Sequence, residues 1–393
     1  MGAALRVAFV SHSTRLYGAS RSLLAVLQGL RAAGIETLTI VPGPGPMAQA
    51  LAARGLAFAT VPFPCWVTAA GTRPDREALA AAQARAVPRI VELLRAARAD
   101  VVWSNSSITA VGALAADALV LPHVWHLREL SGEGLPFRFV DAAAAARRLR
   151  AADARIAVSA ATRATFEAMG SGACAVVYNG IGAAQDLARR PVPARRGAPL
   201  RLLLPARVRA EKGQLVAIAA VRLLRAAGRD VVLRLVGDGD LRACAAAIAR
   251  AGVADAVTLA GFVADVDAEY RQADVVLSCS RIEAMGRTTA EAMSYGLPVV
   301  GCDRLGTAEL IRHGDTGLLC DGSPAALARA VEQLIAQPDA AREFGRRAQA
   351  YARQHFTDER CTEALLAVLR RVCARPAPPP QARAGTAPSA SDW

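Results

Sequence analysis

The sequence predicts an α/β chain of two domains, each built on a parallel sheet, and three observations predict it. At 393 residues the chain is too long for one compact core, which makes two domains the natural division. Short apolar runs rich in Val, Ile and Leu alternate with longer amphipathic stretches, and strand alternating with helix places strands in parallel. The alternation halts near Gly180 and restarts at Leu200, after a segment carrying Pro191, Pro193 and Pro199 with paired arginines.

In chain order, Leu5 to Val10 (LRVAFV) reads as a buried first strand, followed by the turn SHSTRLYG and a helix from Ala19 to about Ala33, closed by Gly34. IETLTIV is the next strand. Further units follow at LAFATV, DVVWSNSS and LPHVWHLRE, with helices between them and a Pro-rich interruption around Pro62 to Pro64. Cys65 to Pro74 is assigned by position as a loop beside an acceptor site. IAVS is a strand, ATRATFEAMG a helix, and AVVYNG closes the first half at Asn179 and Gly180.

The second half opens with LRLLLPA, the turn RVRAEKGQ and a helix near Gln214, then VVLRLVGDGD, a helix, VTLAGFV and a short helix at Asp265 to Gln272. DVVLSCS and GLPVV bracket another strand, loop, helix and strand. Helices from Pro324 to about Ala336 and from Pro338 to about Gln354 precede a last helix from Thr357 to about Val372. The expected boundaries are an N-terminal domain at 1–180, a linker at 181–199, a second domain at 200–356, a crossover helix at 357–373 and a disordered tail at 374–393 rich in Pro, Ala and Ser.

Hydrophobic residues make up 53% of the chain, so burying two cores is not limiting. The net charge of +13 suits anionic substrates or peripheral attachment at an anionic membrane face. Nucleic acid is not expected, because aromatics are only 5% and do not interleave with the basic residues. The eight cysteines show no Cys-x-x-Cys and no His at ligand spacing, which fits a reduced cytoplasmic setting. Leu5 to Val10 is too short for a secretory h-region, and the apolar window from Ile108 to Trp125, broken by Asp117 and Pro122, reads as helix then strand instead of a membrane span.

The chemistry concentrates in Ser280 to Gly301. Gly286, Arg287 and Thr288 stand at a turn into a helix, where unpaired N–H groups and the positive dipole end suit a phosphate. Glu283 and Glu291 bracket that anion site, and carboxylates accept pairs of hydrogen bonds from the hydroxyls of a sugar or ribose. Thr288 to Glu291 also matches a capping box, in which Glu291 reaches back to its own helix start. Both readings stand at this point.

Arg207 and Lys212 flank the turn after LRLLLPA, a place suited to a diphosphate. Lys212 is the only lysine among 47 basic residues, so a composition that otherwise uses Arg keeps an ammonium here. HVWHLRE sets His123, His126, Arg128 and Glu129 just past a strand, where open α/β sheets place ligands. The first loop carries only Gly18, not the glycine-rich fingerprint of a dinucleotide site. Two Asp-x-Asp patterns, Asp238 with Asp240 and Asp265 with Asp267, read as turn and N-cap residues, and no metal is assigned.

EAMGRTTAEAMSYGLPVV resembles the signature of the family 4 retaining glycosyltransferases, and the likeness continues through Glu309, Gly314 and TGLL at Thr316 to Leu319. The resemblance implies a GT-B architecture, two Rossmann-like domains facing each other across a cleft. It implies transfer of a sugar from a nucleotide-diphosphate sugar to a hydroxyl of a saccharide or lipid-linked acceptor, with retained configuration and no metal cofactor.

By the same resemblance Glu283 contacts sugar hydroxyls, Glu291 the ribose, Arg207 and Lys212 the diphosphate, and His126 the donor sugar. Gly18, in YGAS, is similar to the small-residue loop that approaches the donor phosphate. The pattern departs at Met285, where members carry Phe, and at Leu305, where they carry the first of two glycines. A sugar-nucleotide epimerase on the same fold and a catalytically idle binding protein are the alternatives.

Overall fold

The computed structural model describes residues 4–132, 135, 137–192 and 197–374. Beyond 374, the expected disordered tail lies outside the described residues. Two compact units divide the chain: unit 1 joins Met1–Gly180 to the segment from Asp358 onward, and unit 2 is Ile181–Thr357.

Unit 1 comprises β1 (Arg6–Val10), α1 (Gly18–Ala32), β2 (Glu36–Val41), α2 (Pro46–Ala53), β3 (Phe58–Thr60), β4 (Val67–Ala69), α3 (Arg76–Ala96) and β5 (Val101–Ser104). It continues through α4 (Val111–Leu119), β6 (His123–Leu127), β7 (Phe137–Phe139), α5 (Ala142–Ala151), β8 (Ala154–Ala157), α6 (Ala160–Ala168) and β9 (Ala175–Val176). The sheet runs β3-β2-β1-β5-β6-β8-β9 with every pair parallel. Its central strands are mostly apolar because helices cover both faces, and Val7, Phe9, Val102 and Trp103 are all buried. The stretch assigned as a loop beside an acceptor site instead carries β4, paired antiparallel with β7.

Unit 2 comprises α7 (Ala184–Arg189), β10 (Leu200–Pro205), α8 (Gln214–Ala226), β11 (Val231–Val236), α9 (Arg242–Ala251), β12 (Val257–Gly261), α10 (Val266–Gln272) and β13 (Val275–Ser278). It continues through α11 (Arg287–Ser294), β14 (Val299–Cys302), α12 (Leu305–Leu310), β15 (Gly317–Cys320), α13 (Pro324–Ala336) and α14 (Pro338–His355). Its sheet order is β12-β11-β10-β13-β14-β15, again parallel. Within the segment expected as a linker, α7 is tied down: Arg353 Nε donates to Leu187 O at 3.0 Å and Gln349 Nε2 to Arg190 O at 3.0 Å.

The last helix, α15 (Asp358–Cys373), belongs to unit 1. Its stripe of Cys361, Leu365, Val368, Leu369 and Val372 packs with Leu23, Leu27 and Leu30 of α1, residues spaced to fall on one helix face. The two helices cross closely at Gly29, where a Cβ would stand 2.2 Å from Thr362 Oγ1. Among the described residues no helix is long and apolar enough to cross a membrane.

Candidate functional site

In each sheet the chain starts near the middle, builds outward on one side, then returns to the other side of its starting strand. This reversal leaves a crevice at the carboxyl ends of the two strands flanking it, the usual ligand position in open α/β folds. In unit 2 those strands are β10 and β13, and in unit 1 they are β1 and β5.

At the unit 2 reversal, β10 leads into the turn that bears Arg207 and Lys212, and β13 leads into the loop that bears Glu283. Lys212 Nζ donates to Glu283 Oε2 at 2.6 Å, with the two side chains 22% and 19% exposed. The cation expected for phosphate and the carboxylate expected for sugar hydroxyls therefore meet directly. Gly213 makes the approach possible: its φ is +76°, and a Cβ there would lie 2.4 Å from Cys279 O at the end of the neighbouring strand. The Arg281 amide also donates to Glu211 O at 2.9 Å, zipping the two loops together. On the opposite side of the Glu283 loop, the Gly306 amide donates to Glu283 O at 3.0 Å.

Arg207 has partners of its own. Its Nε lies 3.7 Å from Asp238 Oδ1, while its carbonyl accepts from Gln214 Nε2 at 3.0 Å. Asp240, the other member of that Asp-x-Asp, is exposed and paired with Arg242 at 2.6 Å, which lowers its pKa to about 2. Asp265 caps α10 by accepting from Ala268 N at 3.0 Å. Among the described residues no three His, Cys, Asp or Glu side chains gather in a form that would hold a metal.

Helix α11 begins at Gly286, its N-cap, with φ +89° and no side-chain cap among the described residues. Arg287 and Thr288 thus form the first turn, and Glu291 lies a turn inside. The capping-box reading fails on this geometry, because Thr288 is not the cap and the Glu291 carboxylate is engaged elsewhere. Its Oε1 accepts from Arg287 Nε at 2.8 Å and its Oε2 from the Tyr270 hydroxyl at 3.1 Å. The same proton is shared with Thr288 O, 3.2 Å from the hydroxyl, and the Tyr270 ring is buried and stacks on Tyr295 at 5.2 Å. Burial and the Glu291 charge push the Tyr270 phenol well above its ordinary pKa, so it remains a donor. Sequence reasoning missed Tyr270, which lies on α10 with no local signal beyond one aromatic in a short helix.

Met285 is buried, whereas Leu305 is partly exposed with φ +50°, a left-handed backbone that costs a non-glycine residue about 1–2 kcal/mol. The glycine of the family pattern would relieve that strain.

At the unit 1 reversal, Ser11 and His12 follow β1, and Asn105, Ser106 and Ser107 follow β5; β6 ends beside them with His126, Arg128 and Glu129. Gly18 opens α1, its φ lies outside the left-handed region, and the space around a Cβ there is open. Neither backbone nor packing requires glycine at that position. Glu129 accepts from the Ser106 hydroxyl at 2.7 Å, the Ser107 hydroxyl at 2.9 Å and the Ser107 amide at 3.0 Å. Arg128 Nε and Nη2 donate to Asn105 Oδ1 at 2.9 and 2.8 Å, and Nη1 donates to Asn179 Oδ1. Nη2 also reaches His126 Nδ1 at 3.3 Å.

His126 is fully buried, and burial first, then the Arg128 charge, holds its pKa well below 6.5. His12 is lowered too, by burial against the opposing pull of Glu129. Asn105 and Asn179, which carry the guanidinium, were not singled out from the sequence as site residues.

A family model described as Glycosyltransferase Family 4 matches residues 17–185, and one described as Glycosyl transferases group 1 matches residues 199–337. The putative glycosyltransferase EpsD of Bacillus subtilis is 30% identical over 166 residues, covering 42% of this chain and 43% of that protein. The amylovoran biosynthesis glycosyltransferase AmsK of Erwinia amylovora is 38% identical over 140 residues, 33% of this chain and 34% of that protein. The chain thus spans less than half the length of these curated relatives. Among solved structures, HepE of Anabaena in complex with UDP-glucose matches with a TM-score of 0.77 at 22% identity, covering 93% of this chain and 99% of that one. That likeness is one of fold.

Proposed function

The chain belongs to glycosyltransferase family 4 and has the GT-B fold, and from that premise we propose that it moves a sugar from a nucleotide-diphosphate sugar to a hydroxyl of a saccharide or lipid-linked acceptor, retaining the anomeric configuration and using no metal. A role in polysaccharide or glycolipid synthesis fits relatives such as AmsK.

The observation that carries the reading is the Lys212–Glu283 pair at the β10/β13 reversal, with the start of α11 following in the same loop. In this proposal Arg207, Lys212 and the amides at Gly286, Arg287 and Thr288 stabilise the charge that grows on the departing diphosphate. Glu283 accepts hydrogen bonds from the sugar and Glu291 from the ribose. The bond from the anomeric carbon to the phosphate oxygen breaks, the acceptor oxygen bonds the same face, and its proton passes to the leaving phosphate. No covalent nucleophile is needed. In unit 1, His126 donates a hydrogen bond to a saccharide hydroxyl.

Thermal unfolding with UDP, GDP, ADP, TDP and CMP in turn, each with and without a chelator, tests this. A ligand at a hundred times its dissociation constant stabilises by about 2.7 kcal/mol. A shift with one diphosphate, unchanged by chelator, supports the reading and names the donor base. No shift with any of them overturns it, and a shift abolished by chelator overturns its metal-free form.

A further inference from the structure

An arginine side chain carries only donors. Where Arg128 Nη2 meets His126 Nδ1 at 3.3 Å, the ring nitrogen must therefore be the acceptor and carry no proton. A neutral imidazole with a bare Nδ1 has its proton on Nε2, and burial beside a guanidinium keeps this ring neutral. The Nε2 atom is itself buried and has no hydrogen-bond partner among the described residues.

The same guanidinium makes a parallel choice at Asn105. Its Nε and Nη2 both donate to the amide oxygen, at 2.9 and 2.8 Å, so the amide NH2 must point the other way. That Nδ2 is likewise buried without a partner among the described residues. A buried donor left unsatisfied is costly, so a fold that holds two of them is arranged for an acceptor that arrives from outside. Arg128 is fixed in turn by Asn179, whose amide oxygen accepts from Nη1. His126 lies one residue before the end of β6 and Asn105 one residue beyond the end of β5, its neighbour, beside the reversal where open α/β sheets place ligands.

We propose that Arg128 is a positioning residue whose guanidinium holds His126 as the Nε2–H tautomer and turns the Asn105 amide, so that both present N–H donors to ligand oxygens. This rests on the reading of unit 1 as a saccharide-binding unit only in what the oxygens belong to; the tautomer and the amide orientation belong to the free protein. His126 on this account is a hydrogen-bond donor and not a proton acceptor.

The test is nitrogen NMR of the ligand-free full chain labelled with 15N-histidine, which has five rings to resolve, with His126 identified by the signal missing in His126→Gln. The expected result is a neutral His126 ring protonated at Nε2 across neutral pH. Finding Nδ1–H, or an imidazolium at pH 7, overturns the proposal without any Arg128 variant. In Arg128→Met the ratio of Nε2–H to Nδ1–H should fall about tenfold, which corresponds to about 1.4 kcal/mol. An unchanged ratio in the folded variant overturns the role given to Arg128. Arg128→Lys keeps the charge but not the fork, and it serves the same comparison with a smaller loss of packing. No sugar nucleotide enters the measurement, so its outcome is separate from that of the thermal-shift series.

Discussion

The two strand reversals are built alike in backbone and differ in how their charges are partnered. At β10/β13 in unit 2 the side chains are ions in contact, Lys212 with Glu283 and Arg287 with Glu291, each 15–22% exposed. An anion reaching Lys212 must replace a carboxylate already there. At β1/β5 in unit 1, two charged side chains are each held by neutral partners, Arg128 by the oxygens of Asn105 and Asn179 and by His126, and Glu129 by Ser106 and Ser107. Ion pairs that keep some access to solvent add less to stability and more to ligand electrostatics, while fully buried polar groups weigh on stability and on hydrogen-bond direction. Substitutions at the first reversal should therefore change chemistry, and changes at the second should move stability.

The largest expected effect tests the first half of that contrast. Lys212→Ala should lower turnover by about 10²–10³-fold, as when one preorganised donor to a developing charge is lost. Its unfolding free energy should change by only about 1–2 kcal/mol, between the cost of breaking an exposed pair and that of a buried one. Near-normal turnover, or a collapse in stability, would break the comparison.

The next concerns unit 1 and pH. His12 and His126 are held below 6.5 in the folded chain, so the unfolded chain binds more protons as pH falls through that value. Stability is complete above pH 6.5 and declines below it, with a slope of up to about 1.4 kcal/mol per pH unit for each ring. Urea unfolding at pH 7.5 and 5.5 measures this, and His126→Gln should flatten the acid limb. A limb as steep in the variant as in the parent would remove His126 from the account.

Tyr270→Phe sharpens the picture of unit 2 by deleting the hydroxyl that holds Glu291 and Thr288. A cost of about 1 kcal/mol in stability is expected, with nucleotide binding weakened about fivefold. Calorimetric titration of the variant with the nucleotide that the thermal-shift series selects reads it. The smallest effect is the most pointed: Glu283→Gln releases Lys212 and should tighten binding of that nucleotide by about two- to threefold while turnover falls. Weaker binding would mean that Lys212 does not have to leave Glu283 for the ligand.

Much of unit 2 was legible because its signals are local. The strand, loop, helix and strand around Glu283 and Glu291 occupy one continuous stretch, and the solitary Lys212 stands out by composition alone. Other features escaped because they join residues far apart in the chain. Arg128 meets Asn179 across 51 positions and Tyr270 meets Glu291 across 21, and no periodicity reports either. The three-residue strands β4 and β7 are too short for a pattern of their own and exist through pairing with each other. Glu291 fits two local motifs, and the capping box is excluded only by where α11 begins and by the Arg287 and Tyr270 donors that hold the carboxylate.

The placement of α15 gives the chain a timetable. Unit 2 is contiguous and complete once Thr357 has been made, whereas unit 1 begins first and waits for a helix encoded at the far end. At synthesis rates of about 5–20 residues per second, roughly 10–40 s separate synthesis of Gly180 from that of Cys373. Throughout that interval Leu23, Leu27 and Leu30 lack their covering helix, and the Gly29–Thr362 crossing does not exist. The half of the protein that is translated first is thus the half that matures last, with an apolar face on offer to chaperones in the meantime.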